Sequence, residues 1–256
     1  NANTGKTVIP AQYRHAWQFN GEDLAAVVGF QDDSLRFIGR NGAPACDKAF
    51  AYVLDEDYVF HNGNCIMARK ENGGTVYGLL GKDGEWILEQ EYYYMYYEQS
   101  VGLFYVSQLN EDDVRRQGYW NPRGYWEYEP IYDKVNFNNA DNTVFITENG
   151  IKRQVKPDGT VVEPFVIDYV SLLEYTPTGE SNIEVDGDYQ KRVLTNSKVA
   201  KYSCDYKCGL LDLKTGKPLT PAVFDDIYAV SEDILRCELV GLNFEVLYNS
   251  KGQKIN

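Results

Sequence analysis

Two histidines, five cysteines and 38 acidic residues are the side chains from which catalysis or metal binding could be built. A nucleophile needs a base beside it, and the chain has no Gly-x-Ser-x-Gly elbow and no phosphate-binding glycine loop ahead of a helix. His15 precedes no nucleophile, and His61 sits in the turn-forming run His61-Asn62-Gly63-Asn64. Cys204 and Cys208 lie four apart, whereas a zinc site wants a tighter pair and a second pair of ligands. With Cys46, Cys65 and Cys237 the cysteine count is odd, which argues against a full disulfide framework and for buried free thiols. Carboxylates cluster at Asp55-Glu56-Asp57, Glu111-Asp112-Asp113, Glu184 to Asp188 and Asp225-Asp226. Glu184, Asp186 and Asp188 alternate around Gly187, but the EF-hand loop pattern is absent, so these read as solvated acidic loops. No pair of acids is singled out for glycoside hydrolysis. The expectation is a non-enzymatic protein with no metal and no cofactor.

Aromatic stacking is the chemistry the chain favours. Its 21 tyrosines exceed 11 phenylalanines and 4 tryptophans, and tyrosine suits half-buried strands, where the ring packs and the hydroxyl reaches water. In Glu91-Tyr92-Tyr93-Tyr94-Met95-Tyr96-Tyr97-Glu98, an unbroken strand would put Tyr92, Tyr94 and Tyr96 on one face and Tyr93, Met95 and Tyr97 on the other. One face would then be core and the other an aromatic platform for a sugar ring or a protein partner. Tyr119-Trp120 and Tyr125-Trp126 flank the turn Asn121-Pro122-Arg123-Gly124, so these rings should meet across adjacent strands. Tyr94, Tyr96, Trp120 and Trp126 are the candidate ligand-binding residues; packing within the sheets is the alternative for each.

These residues must be positioned by a repeat. Gly5, Gly42, Gly84, Gly124, Gly159 and Gly216 anchor a degenerate unit, with a large apolar residue eight positions on: Tyr13, Phe50, Tyr92, Tyr132, Ile167 and Phe224. Gly252 begins a seventh unit. Apolar pairs such as Phe37-Ile38, Leu79-Leu80 and Tyr119-Trp120 lead through turn formers into each anchor, the signal of a β-hairpin. A second strand should follow the anchor, as at Lys6 to Ile9 and Thr160 to Val162. A third comes later, as at Leu24 to Val27, Leu103 to Val106, Thr143 to Ile146 and Ile234 to Cys237. The interval from Gly159 to Gly216 is much longer than the others, and its polar excess between about 171 and 196 reads as a surface insertion or an extra hairpin. The expected fold is all-β: one repeat domain over residues 1–256, with about three strands per unit. It forms either a propeller-like closed ring or an open twisted array.

Tyr77-Gly78-Leu79-Leu80-Gly81-Lys82-Asp83-Gly84 resembles the bacterial WG (KWG) repeat. So does Cys208-Gly209-Leu210-Leu211-Asp212-Leu213-Lys214-Thr215-Gly216, which runs on through Pro221 to Phe224-Asp225. The first, second and fifth units match mainly by spacing, and no Trp-Gly dipeptide occurs. The resemblance implies a β-rich repeat protein, often exported, and carries over no catalytic residue. Net charge of −13 with no basic run disfavours nucleic acid and anionic membrane. No apolar stretch approaches the roughly 20 residues that span a bilayer. A start at Asn1 fits a removed signal peptide or lipid anchor, and equally a trimmed chain. The expected role is an extracytoplasmic binding module for a protein or glycan of the cell envelope, with carbohydrate binding as the alternative function.

Overall fold

The computed structural model describes residues 5–179, 183–185, 188–240 and 244–255. These residues form antiparallel sheets and contain no α-helix. They gather into two compact units, residues 1–131 and 132–256. The first unit holds three sheets. One comprises β1 (Tyr13–Ala16), β2 (Leu24–Gly29) and β3 (Leu35–Gly39). The next comprises β4 (Phe60–His61), β5 (Asn64–Glu71), β6 (Gly74–Gly81) and β7 (Trp86–Tyr92). The third comprises β8 (Tyr94–Glu98), β9 (Leu103–Leu109), β10 (Arg115–Asn121) and β11 (Tyr125–Tyr132).

The second unit follows the same plan. β12 (Lys134–Asn138), β13 (Thr143–Glu148), β14 (Ile151–Val155) and β15 (Val161–Glu163) form one sheet. β16 (Tyr169–Tyr175) pairs with β19 (Leu194–Cys204), which pairs with β20 (Lys207–Asp212). Between them β17 (Ile183–Val185) and β18 (Asp188–Gln190) make a separate hairpin. β21 (Asp226–Ala229), β22 (Ile234–Leu239) and β23 (Phe244–Asn249) complete the described strands. The long interval is thus an extra hairpin, although β16 and β19 extend into both of its ends. Asp186 and Gly187 lie outside the described residues.

Each sheet is a meander of sequential strands, and its frame is offset from the sequence repeat. A sheet takes the later strands of one repeat, then the apolar pair, anchor turn and following strand of the next. Its full complement is therefore four strands rather than three. At most anchor turns the anchor N–H donates to the carbonyl three residues earlier, as Gly84 to Gly81 at 3.0 Å, Gly124 to Asn121 at 3.0 Å and Gly159 to Lys156 at 2.9 Å, whereas Gly216 donates to Asp212, four residues earlier, at 2.8 Å. All seven anchors have positive φ, from 64° at Gly5 to 99° at Gly124, the left-handed geometry that glycine enters without a Cβ clash. Asx contacts fix the turn before it, as Asp83 Oδ1 accepts from the Glu85 N–H at 3.0 Å and Asp158 Oδ1 from Thr160 at 2.9 Å.

The fourth strand is complete in β7, β11 and β15. Elsewhere it shrinks to single bridges, Ile38 with Pro44 and Leu35 with Phe50, then Leu211 with Pro218 and Cys208 with Phe224. Pro44 and Pro218 have no N–H to donate to the ladder, but the last such bridge, Tyr248 with Lys254, involves no proline. Lys6 to Ile9, read from the sequence as a strand, is irregular backbone.

Alternation supplies the cores. Phe37, Tyr58, Phe60, Met67, Leu79, Leu80 and Phe104 are fully enclosed in the first unit. Leu210, Ile227 and Leu235 are enclosed in the second, beside a cluster around Tyr202 and Cys204. All five cysteines are free, and all but Cys46 are buried.

Candidate binding site

The sheet β8–β11 sorts the candidate aromatics. Tyr96 pairs with Tyr105 and Tyr105 with Tyr119, while Tyr97 pairs with Phe104 and Phe104 with Trp120. Cross-strand partners share a face, so Tyr94, Tyr96, Tyr105 and Tyr119 stand together. Met95, Phe104, Val106 and Trp120 point the other way, into the first unit's core. Tyr96 stacks on Tyr105 at 4.7 Å, Tyr94 lies 6.0 Å from Tyr96, and Tyr77 meets Tyr94 edge-on at 5.6 Å.

The alternation expected through Tyr92 to Tyr97 breaks at Tyr93. Tyr92 ends β7, pairs with Tyr77 and is buried, whereas Tyr94 begins the next sheet. Tyr92 is therefore core and does not share the face of Tyr94 and Tyr96. The chain leaves one sheet for another within the aromatic run, and residue types alone gave no sign of it.

Tyr93 and Tyr94 are 51% and 41% exposed. They border a groove of about 750 Å³ whose other walls come from the β5–β6 hairpin and the end of β9. Glu71, Tyr77, Glu91, Gln108 and Leu109 contribute to its lining, and its charged lining residues are both acids. Tyr77 Oη donates to Glu56 Oε1 at 2.7 Å; burial, then that carboxylate, pushes its pKa up. The Arg115 guanidinium lies 5.2 Å over the Tyr93 ring and 6.0 Å from that of Tyr94, and its Nε donates to Ser107 Oγ at 2.8 Å. Such a stack fixes the outer rings by cation–π attraction. Arg115, Gln108 and the Glu71 hairpin are far from Tyr94 in sequence, and only strand pairing brings them to it.

The other candidates lie elsewhere. Trp120 is 9% exposed and packs edge-on against Trp126 at 5.1 Å, with Trp126 6.2 Å from Tyr92. The two tryptophans do meet across the hairpin, but against the core and away from the Tyr94 groove. His61 stacks on Tyr97 at 4.2 Å, and burial pushes its pKa down. His15 packs near Trp17 and Tyr52. Asp225 and Asp226 pair with Lys207 and Lys201, both at 2.6 Å. Among the described residues no group of three or more His, Cys, Asp or Glu is placed to hold a metal, and no helix is long and apolar enough to cross a membrane.

The WG containing repeat family model matches residues 3–28. No curated protein matches the chain. Among solved structures, a eukaryotic initiation factor is 11% identical, with a TM-score of 0.33 over 100% of this chain and 68% of that one. Hsv2 of Kluyveromyces lactis is 11% identical, with a TM-score of 0.28 over 94% and 86%. Virginiamycin B lyase from Staphylococcus aureus is 12% identical, with a TM-score of 0.24 over 97% and 86%. The all-β fold stands on the chain's own strand ladders. The family match falls on the first unit, which resembled the family mainly by spacing. It bears out the resemblance over residues 3–28, within a chain whose described residues are all-β.

Proposed function

We propose that the chain is a non-enzymatic binding module, exported to the cell envelope, that takes a protein segment in the groove beside Tyr93 and Tyr94. The observation that carries this reading is the pair of half-exposed rings over an open groove with acids in its lining. Exposed tyrosines supply large contact area at low entropic cost, and the carboxylates favour a partner segment bearing lysine or arginine. Tyr94 and Tyr96 remain in the proposed contact; Trp120 and Trp126 support the sheet beneath it. A glycan is the second reading, favoured by the Gln108 amide and Glu91 carboxylate beside the rings, which suit hydroxyl groups.

The test is affinity capture from a detergent-solubilised bacterial envelope with wild type and a Tyr93→Ala/Tyr94→Ala variant in parallel, followed by both on a glycan array. A protein recovered by wild type and lost by the variant supports the first reading. An array signal lost in the same way supports the second. Ligands retained equally by the variant contradict both.

A further inference from the structure

The hairpin between β19 and β20 turns on Asp205 and Tyr206, with φ of 48° and 70°. The same left-handed pair occurs at Asn62-Gly63 between β4 and β5 and at Asn149-Gly150 between β13 and β14, with glycine second each time. Two consecutive positive φ values favour Asn-Gly because only glycine takes the second site without strain. Here a tyrosine occupies it and is 94% exposed, so its ring returns almost no burial for that strain.

The turn is held from below. Lys134 Nζ bonds Asp205 Oδ1 at 2.9 Å, Lys152 Nζ lies 3.4 Å from the same oxygen, and Thr147 donates to Oδ2. The Asp205 N–H donates to Asp168 Oδ2 at 2.9 Å, and Asp168 Oδ1 meets Lys152 at 2.8 Å. Lys134 Nζ stands 5.4 Å over the Tyr206 ring. A strained position this firmly fixed, presenting a bare aromatic ring, is the geometry of an interaction anchor.

We infer that Tyr206, with Lys134 beside it, docks head to tail in the Tyr93–Tyr94 groove of a second copy of this chain. The inference rests on the proposed binding role of that groove. The groove is open, exceeds the volume of a tyrosine side chain, and has as its lining charges Glu91 and Glu71, the latter paired with Arg69 at 2.6 Å. The tip offers a ring and an ammonium group. Such a contact is heterologous, so each copy has one tip and one groove, and association extends beyond a dimer unless it closes into a ring.

Sedimentation velocity over a concentration series tests this. Wild type should gain mass with concentration, while Tyr206→Gly and Tyr94→Ala, each alone, stay monomeric. Mixed together they should form a one-to-one dimer that grows no further, because one supplies the groove and the other the tip. Tyr206→Gly should melt no lower than wild type, which separates lost docking from lost folding. A wild type that stays monomeric at every concentration overturns the inference and leaves the envelope-capture test of the groove unaffected. So does a Tyr94→Ala chain that still associates, or a mixture that forms no dimer.

Discussion

Gly78 and Gly118 stand one residue before an apolar pair, and both face a crossing backbone. A Cβ on Gly78 would lie 2.7 Å from the Leu88 carbonyl oxygen, and one on Gly118 2.5 Å from the Tyr128 carbonyl oxygen. Gly124 is different, with φ of 99° and nothing within 4 Å of an added Cβ. Gly78→Ala and Gly118→Ala should therefore cost about 3 kcal/mol or more through forced backbone movement. Gly124→Ala should cost only about 1–2 kcal/mol of conformational strain. Urea unfolding checks the order, and equal losses would contradict this division of roles. The anchor glycines were legible in the sequence because a turn needs a local dihedral. The buried fate of Trp120 was not, because face assignment depends on the register with Phe104.

Strands leading into anchors were also legible, since an apolar pair, a turn former and a glycine are contiguous. Sheet membership was less so: the repeat has the period of a sheet but a shifted frame, and Tyr92 and Tyr94 fall on opposite sides of a sheet boundary. The tie between β12, β13, β14 and the β19–β20 turn came from residues with no shared motif. Burial raises the Asp205 pKa, but the Thr147 and Lys134 hydrogen bonds and the Lys152 charge outweigh it, and the net shift is downward. Burial lowers the Lys152 pKa, and its bond to Asp168 and the charge of Asp205 turn the net shift upward. A depressed carboxylate stabilises the fold above its unfolded pKa, about 3.9, and loses that contribution as pH falls through the lower folded value. A raised lysine stabilises below its unfolded pKa, about 10.4, and loses that contribution as pH rises through the higher folded value. Stability should thus drop at both extremes, and Asp205→Ala should cost roughly 3 kcal/mol at neutral pH while flattening the acid limb. Denaturant midpoints across pH measure both. An Asp205→Ala chain with an unchanged acid limb would show that the network is not the cause.

Across the molecule, all four tryptophans, Trp17, Trp86, Trp120 and Trp126, fall in the first unit. Indole fluorescence therefore reports that unit, and far-UV circular dichroism reports strands in both. The hairpin repeat made the all-β class plain and composition the acidic balance, but the groove depends on which hairpins meet, and that lies in tertiary pairing. The central claim is that Tyr94 and Tyr206 are held for binding while Trp120 is held for folding. Urea unfolding of Tyr94→Ala, Tyr206→Gly and Trp120→Ala in one series, followed by both probes, tests it most directly. The account predicts a loss of about 3–5 kcal/mol for Trp120→Ala and under about 1.5 kcal/mol for Tyr94→Ala. For Tyr206→Gly it predicts no loss, or a gain of about 1 kcal/mol. A fall in Tyr94→Ala or Tyr206→Gly as deep as that of Trp120→Ala would make those tyrosines structural and contradict it.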